Sequence, residues 1–257
     1  MATLAEPMPA LGRNDRFFLT MALVMAGTLV AGFVMQLAAG RSSFGAPPLV
    51  HAHAIIFFGW VVLYVAQNVF VTRGSMGLHR TLGWIGTGWM AMMVVLGIAV
   101  TVAMVRRGGV PFFFTPAYFL IMDPVTVLSF AGLTVAAIVL RKRTEWHRRL
   151  HYCGMALLTG PGFGRLLPMP FLIPWAGWVV FAAVMIFPVI GVIADLRRTG
   201  RVHPAWWWGI GTLVAVQLVI AGLAQTRLAA DIYAAVTAGS PGAAIAPLLY
   251  PPPPPMG

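Results

Sequence analysis

Three histidine-bearing stretches hold most of the side chains able to do chemistry, and each opens a long apolar run. They read Leu49-Val50-His51-Ala52-His53, then Leu78-His79-Arg80, then Trp146-His147-Arg148-Arg149-Leu150-His151. An ionisable group inside or at the edge of an apolar run is costly without a partner, so each marks a candidate functional site. His147 and His151 are four residues apart and share one helix face. One imidazole from each of two neighbouring helices is what axial ligation of a haem b requires. His79 with His147 or His151 is therefore a candidate ligand pair, with Arg80 and Arg148 as candidate propionate partners. Gly83, Gly86 and Gly154 on the same faces would leave room for a flat macrocycle. The competing reading is that these basic corners only set topology and touch phospholipid headgroups.

A second group is expected at the opposite end of the apolar runs: His51, His53, Asp123 and Arg165. Two histidines and a carboxylate suit zinc, copper or iron, and a histidine–aspartate pair also suits proton relay. His51 lies about 200° round an ideal helix from His53, so both reach one metal only if the first turn is irregular. The plainer alternative is that Asp123 pairs with Arg165 while His53 hydrogen-bonds a tyrosine. His53, Phe57, Trp60, Tyr64 and Gln67 recur at helical spacing, a polar-aromatic stripe that predicts a buried face.

The elements that must position these residues are membrane helices. Of 257 residues, 60% are hydrophobic and 9% charged, against about a quarter charged in a soluble globule. The pattern predicts an all-α polytopic bundle with seven spans near 16–39, 49–71, 81–105, 117–140, 148–167, 172–194 and 205–226. On that reading residues 1–15 form a cytoplasmic N-terminal segment, 16–227 the transmembrane domain and 228–257 a proline-rich flexible tail. Twelve of the 17 Lys and Arg fall in loops on one side and five on the other. That positive-inside bias predicts a cytoplasmic N-terminus and an outward C-terminus. The net charge of +11 is thereby a matter of orientation and anionic lipid, and nucleic acid is not an expected partner. Thr159-Gly-Pro-Gly-Phe-Gly164 predicts a kink or break in the fifth span, and the lone Cys153 reads as a small core residue. The two hairpins ending in His79-Arg80 and His147-Arg148 also suggest a duplicated helix pair, with chance similarity as the rival. No phosphate-binding glycine loop, Gly-x-Ser-x-Gly elbow or His-Glu-x-x-His helix is present, so whether the chain is an enzyme stays open.

His51-Ala-His53 with Trp60 and Gln67, Leu78-His79-Arg80-Thr-Leu-Gly83, Asp123-Pro124 and Trp146-His147-Arg148-Arg149-Leu150 together resemble a set of bacterial inner-membrane proteins of unassigned function. More loosely, they resemble the helical bundles of cytochrome-b-type membrane electron carriers. The resemblance covers roughly residues 49 to 168. It implies a multi-pass inner-membrane bundle, haem between histidines of neighbouring spans, and a quinone or other membrane redox partner. The chain departs from the usual two-haem arrangement, because its outer histidines lie on one helix, so at most one haem, on the cytoplasmic side, is implied. The expected function is thus a haem- or metal-binding component of membrane electron transfer. The alternatives are a small-solute or proton-coupled transporter, or a non-catalytic subunit or assembly partner of a membrane complex.

Overall fold

The computed structural model describes residues 13–42 and 44–253. The N-terminal segment up to residue 12 and the last four residues of the tail lie outside the described residues. The described chain is all-helical. Its α-helices are α1 (Arg13–Ala38), α2 (Pro48–Thr72), α3 (Met76–Arg106), α4 (Pro116–Val139), α5 (Thr144–Leu158), α6 (Gly160–Leu166), α7 (Ala176–Thr199), α8 (Pro204–Leu223) and α9 (Arg227–Thr237). Six of them, α1 to α4 with α7 and α8, are long and apolar enough to cross a membrane. Large apolar side chains are exposed along their outer faces, among them Leu23, Val62, Val95 and Val139. A continuous exposed apolar surface of that kind suits lipid, and the chain is built as a multi-pass membrane protein.

Local sequence chemistry sets the helix ends. Thr115 caps α4 by accepting from Tyr118 N–H at 3.3 Å, with Pro116 in the first turn, where its missing N–H costs nothing. Thr226 caps α9 in the same way through Ala229 N–H. Gly74 and Gly200 carry positive φ where α2 and α7 turn into short loops, a conformation glycine adopts without strain.

The helix at the centre is α5, which packs against α1, α4, α7 and α8. Every residue from Tyr152 to Leu158 is buried, because this second half of the helix, unlike its charged first turns, is apolar on all sides. At Thr159 the helix breaks: Thr159 Oγ bonds the Ala156 carbonyl at 2.6 Å, and Pro161 has no N–H to continue the ladder. The expected fifth span, 148–167, is therefore two short helices, α5 and α6, rather than one long apolar one. Because of that break, six single helices rather than seven meet the length and hydropathy needed for a crossing.

A second correction concerns the tail. Residues 227–237 are helical rather than flexible, and Tyr233, only 2% exposed, bonds the Gly242 carbonyl at 3.0 Å. Arg106 on α3 donates to the Val236 carbonyl at 2.6 Å, and Ala117 N–H on α4 donates to Pro247 at 2.9 Å. The cause is a short apolar stripe, Ala229, Ile232, Tyr233 and Val236, at i, i+3, i+4 and i+7: the last three pack with Val105, Phe114 and Met169, and Ala229 packs with Ala117 and Ile121. The chain thus straps back across the ends of α3 and α4.

Candidate functional site

The hairpin corners at the basic end bring three histidines together. The His79 and His147 rings lie 6.2 Å apart, centre to centre, with planes at 87°. His147 and His151 lie 4.7 Å apart at 85°. His147 Nδ1 sits 2.8 Å from the Ala137 carbonyl. A carbonyl only accepts, so Nδ1 carries the proton and the neutral ring presents Nε2 as its base. His79 Nδ1 is buried without a hydrogen-bond partner, as is Oε1 of Gln67 on α2. Gln67 packs beside this corner, its Nε2 3.3 Å from where a side chain at Gly83 would begin. His79, His147 and His151 are each half-buried.

A haem does not fit this packing. Two imidazoles sharing an iron stand about 4 Å apart, nitrogen to nitrogen, and the ring separation alone would allow that. The glycine faces expected to receive the macrocycle are filled, however. Gly83 faces Gln67, Gly86 faces Trp60 at 3.7 Å, and Gly154 faces Phe130 and Leu133 at 3.5 and 3.7 Å. The expected propionate partner Arg148 is already engaged, paired with Glu145 and with Asp15 at 3.5 Å and lying over the Phe18 ring. Arg80 is exposed.

Beside the histidines lies an ionic network that sequence reasoning missed. Arg149, 4% exposed, forks onto Asp195, 2% exposed, with Nε and Nη2 at 3.0 and 2.7 Å from the two carboxylate oxygens. Asp195 also accepts from Trp206 Nε1 at 2.8 Å and from His203 N–H at 3.3 Å. Glu145 takes the third nitrogen of Arg149, Nη1, and Phe18 and Trp206 lie under the guanidinium at 5.9 and 5.8 Å. This one cluster joins α1, α5, α7 and α8. His203 caps α8 by accepting from Ala205 N–H through Nδ1 at 3.2 Å, which needs an unprotonated nitrogen. Burial, and then the Arg149 charge, hold His203 below the ordinary histidine range and so keep the cap in place. A signal for Asp195 was in the sequence: it is one of only six acidic residues and stands at the very end of an apolar run, where Asp123 stands inside one.

At the other end the expected metal ligands do not converge. His51 Nε2 lies 3.1 Å from the Phe44 carbonyl, in the loop before α2. His53 stacks on Phe57, 4.1 Å between ring centres, and Asp123 accepts from Thr101 Oγ on α3 at 3.2 Å. Among the described residues no group of three His, Cys, Asp or Glu is arranged to hold a metal ion. Both histidines lie within the helical span of α2, so they point to different neighbours, as their angular separation requires. The alternative Asp123–Arg165 pair is not a direct one: Arg165 lies over Phe33 at 3.9 Å and donates to the Pro161 carbonyl at 2.9 Å, and the two charges act on each other at longer range.

No family model, curated protein or solved structure matches the chain.

Proposed function

We propose that the chain is a seven-crossing inner-membrane protein, N-terminus in the cytoplasm and C-terminus outside, that moves protons coupled to a small solute. Support for the crossings comes from the ends of the helices. The Arg148–Asp15, Arg149–Asp195 and His79–His147 contacts gather the start of α1, the start of α3, the start of α5 and the end of α7 at one basic end. With α5 and α6 as one broken crossing, the twelve-to-five distribution of basic residues falls on opposite sides. Reporter fusions at Arg143 and after Tyr250 should then report opposite sides of the membrane, and finding both on one side would remove the seventh crossing.

The observation that carries the transport reading is the ring contact of His79, His147 and His151 inside a lipid-facing bundle. Imidazole is the side chain that exchanges protons near neutral pH. His147 offers Nε2 as the base because Nδ1 is tied to the Ala137 carbonyl, and His79 and His151 stand beside it to pass the proton on. Gln67 and Tyr64 follow on the same face of α2, Tyr64 buried in the core, and the Asp123–Thr101 pair provides a carboxylate toward the other end. The break at Thr159 gives the central helix a point at which to bend, as broken helices do in carriers.

The test is a pH-sensitive dye inside proteoliposomes holding the purified chain. An imposed pH gradient should drive dye response, and His147→Ala should remove most of it while leaving the folded yield unchanged. A response indifferent to His79, His147 and His151 would sink the reading. A second reading, an electron carrier that meets a quinone or another membrane redox partner, rests on the 6.2 Å ring separation and requires Gln67, Trp60, Phe130 and Leu133 to vacate the glycine faces. A Soret band in the purified protein, lost in His79→Ala, would select it instead.

A further inference from the structure

The outer surface of the bundle carries a groove of about 510 Å³ between α4, the first turns of α5, and α8. Leu133, Ala136 and Leu150 form its floor, and Arg143, Trp146 and Trp208 stand at its mouth. The recess exists because α4 presents small residues there: a side chain at Gly132 would meet nothing within 4 Å. On either side Leu128, Val135 and Val139 are exposed along the same helix, so the groove opens on the apolar surface and not into the bundle.

Its chemistry is divided along its length. The two hydroxyls that line it are spoken for within their own helices, Ser129 bonding the Val125 carbonyl at 2.7 Å and Thr212 that of Trp208 at 2.9 Å. The floor therefore offers nothing to a polar solute and suits a hydrocarbon chain. The mouth is cationic. Lys142 and Arg143 are exposed on the turn between α4 and α5, whereas Arg141 is drawn aside over Trp84 and onto the Ile138 carbonyl. Tryptophans at the mouth have the amphipathic character of side chains that sit at headgroup level. We propose that this groove is a binding site for one anionic phospholipid, its acyl chain against Gly132 and Ala136 and its headgroup phosphate on Arg143, with exposed Lys142 next to it in the chain. The assignment is independent of the proton-transport reading.

The experiment is native mass spectrometry of the full chain in detergent, with added phosphatidylglycerol or phosphatidylcholine. A single phosphatidylglycerol adduct should persist, preferred about fivefold over phosphatidylcholine per cationic contact. Arg143→Gln should bring the preference down toward parity, and Gly132→Leu, which fills the recess without touching a charge, should reduce retention of both lipids. Both positions are open, so neither change has packing to disrupt. Equal retention of the two lipids by the parent chain, or an adduct unchanged by either substitution, would overturn the site.

Discussion

Asp195→Ala should lower the stability of the detergent-solubilised chain by about 3 kcal/mol, the low end of what removing one partner of a buried ion pair costs. The loss is large because four residues donate to one carboxylate, Arg198 Nη2 at 3.4 Å among them. Arg149 is left buried with a charge that water cannot reach, Trp206 Nε1 loses its acceptor, and His203 N–H loses its own. Glu145, which still faces the guanidinium, keeps the penalty from going higher. Asp195→Asn retains an oxygen acceptor of similar shape and should lose less. The double change Arg149→Met with Asp195→Leu should recover much of the loss, because neither charge then remains to be desolvated. Thermal or denaturant melting followed by tryptophan fluorescence measures all three. A single alanine variant within about 0.5 kcal/mol of the parent would mean that the guanidinium finds water or another acceptor, and that the network does not hold α5, α7 and α8 together.

The positions of the long helices were legible because a membrane crossing is written in composition: an apolar run of the right length bounded by arginine, proline or glycine. The break in the fifth run was legible as well, since Thr159-Gly-Pro-Gly removes a donor and weakens the helix at one place. What could not be read was that the broken segment would occupy the centre of the bundle, because burial there depends on which helices surround it. The meeting of His79 with His147 followed from two hairpins turning at the same end. Their use as haem ligands did not follow, since the space at Gly83, Gly86 and Gly154 is taken by Gln67, Trp60, Phe130 and Leu133 from neighbouring helices. Spacing along one helix shows that a face is small; it does not show what fills it. Asp195 was hidden for a different reason: it stands beside Arg197 and Arg198, and a basic helix end is easily read as topology alone. The tail misled through composition, its alanines and prolines masking the four-residue stripe that docks α9.

Gly32→Val should destabilise the chain by about 1–3 kcal/mol, whereas Gly27→Ala, five residues earlier on the same helix, should be neutral or stabilising. The two positions differ only in what they face. A Cβ at Gly32 would stand 2.6 Å from the Gly162 carbonyl oxygen and 3.0 Å from its Cα, and a Cβ at Gly162 would in turn stand 3.0 Å from the Thr28 oxygen and 3.1 Å from Leu29 Cα. Both partners are backbone, so no rotamer change relieves the clash and α1 must move off α6. Close approach of this sort is the usual reason for small residues at a membrane helix interface. Gly27 is exposed, with nothing within 4 Å of its would-be Cβ, so alanine there gains helix propensity worth up to about 1 kcal/mol and loses no contact. Gly32→Ala should already show the unfavourable sign, and valine should enlarge it because its branch cannot turn away from the facing backbone. Melting of the three variants in one detergent supplies the comparison. If alanine at 27 and at 32 shifted the midpoint in the same direction, the α1–α6 contact through Gly32 and Gly162 would not be the tight backbone crossing described, and the broken central helix would have to be held by α4, α7 and α8.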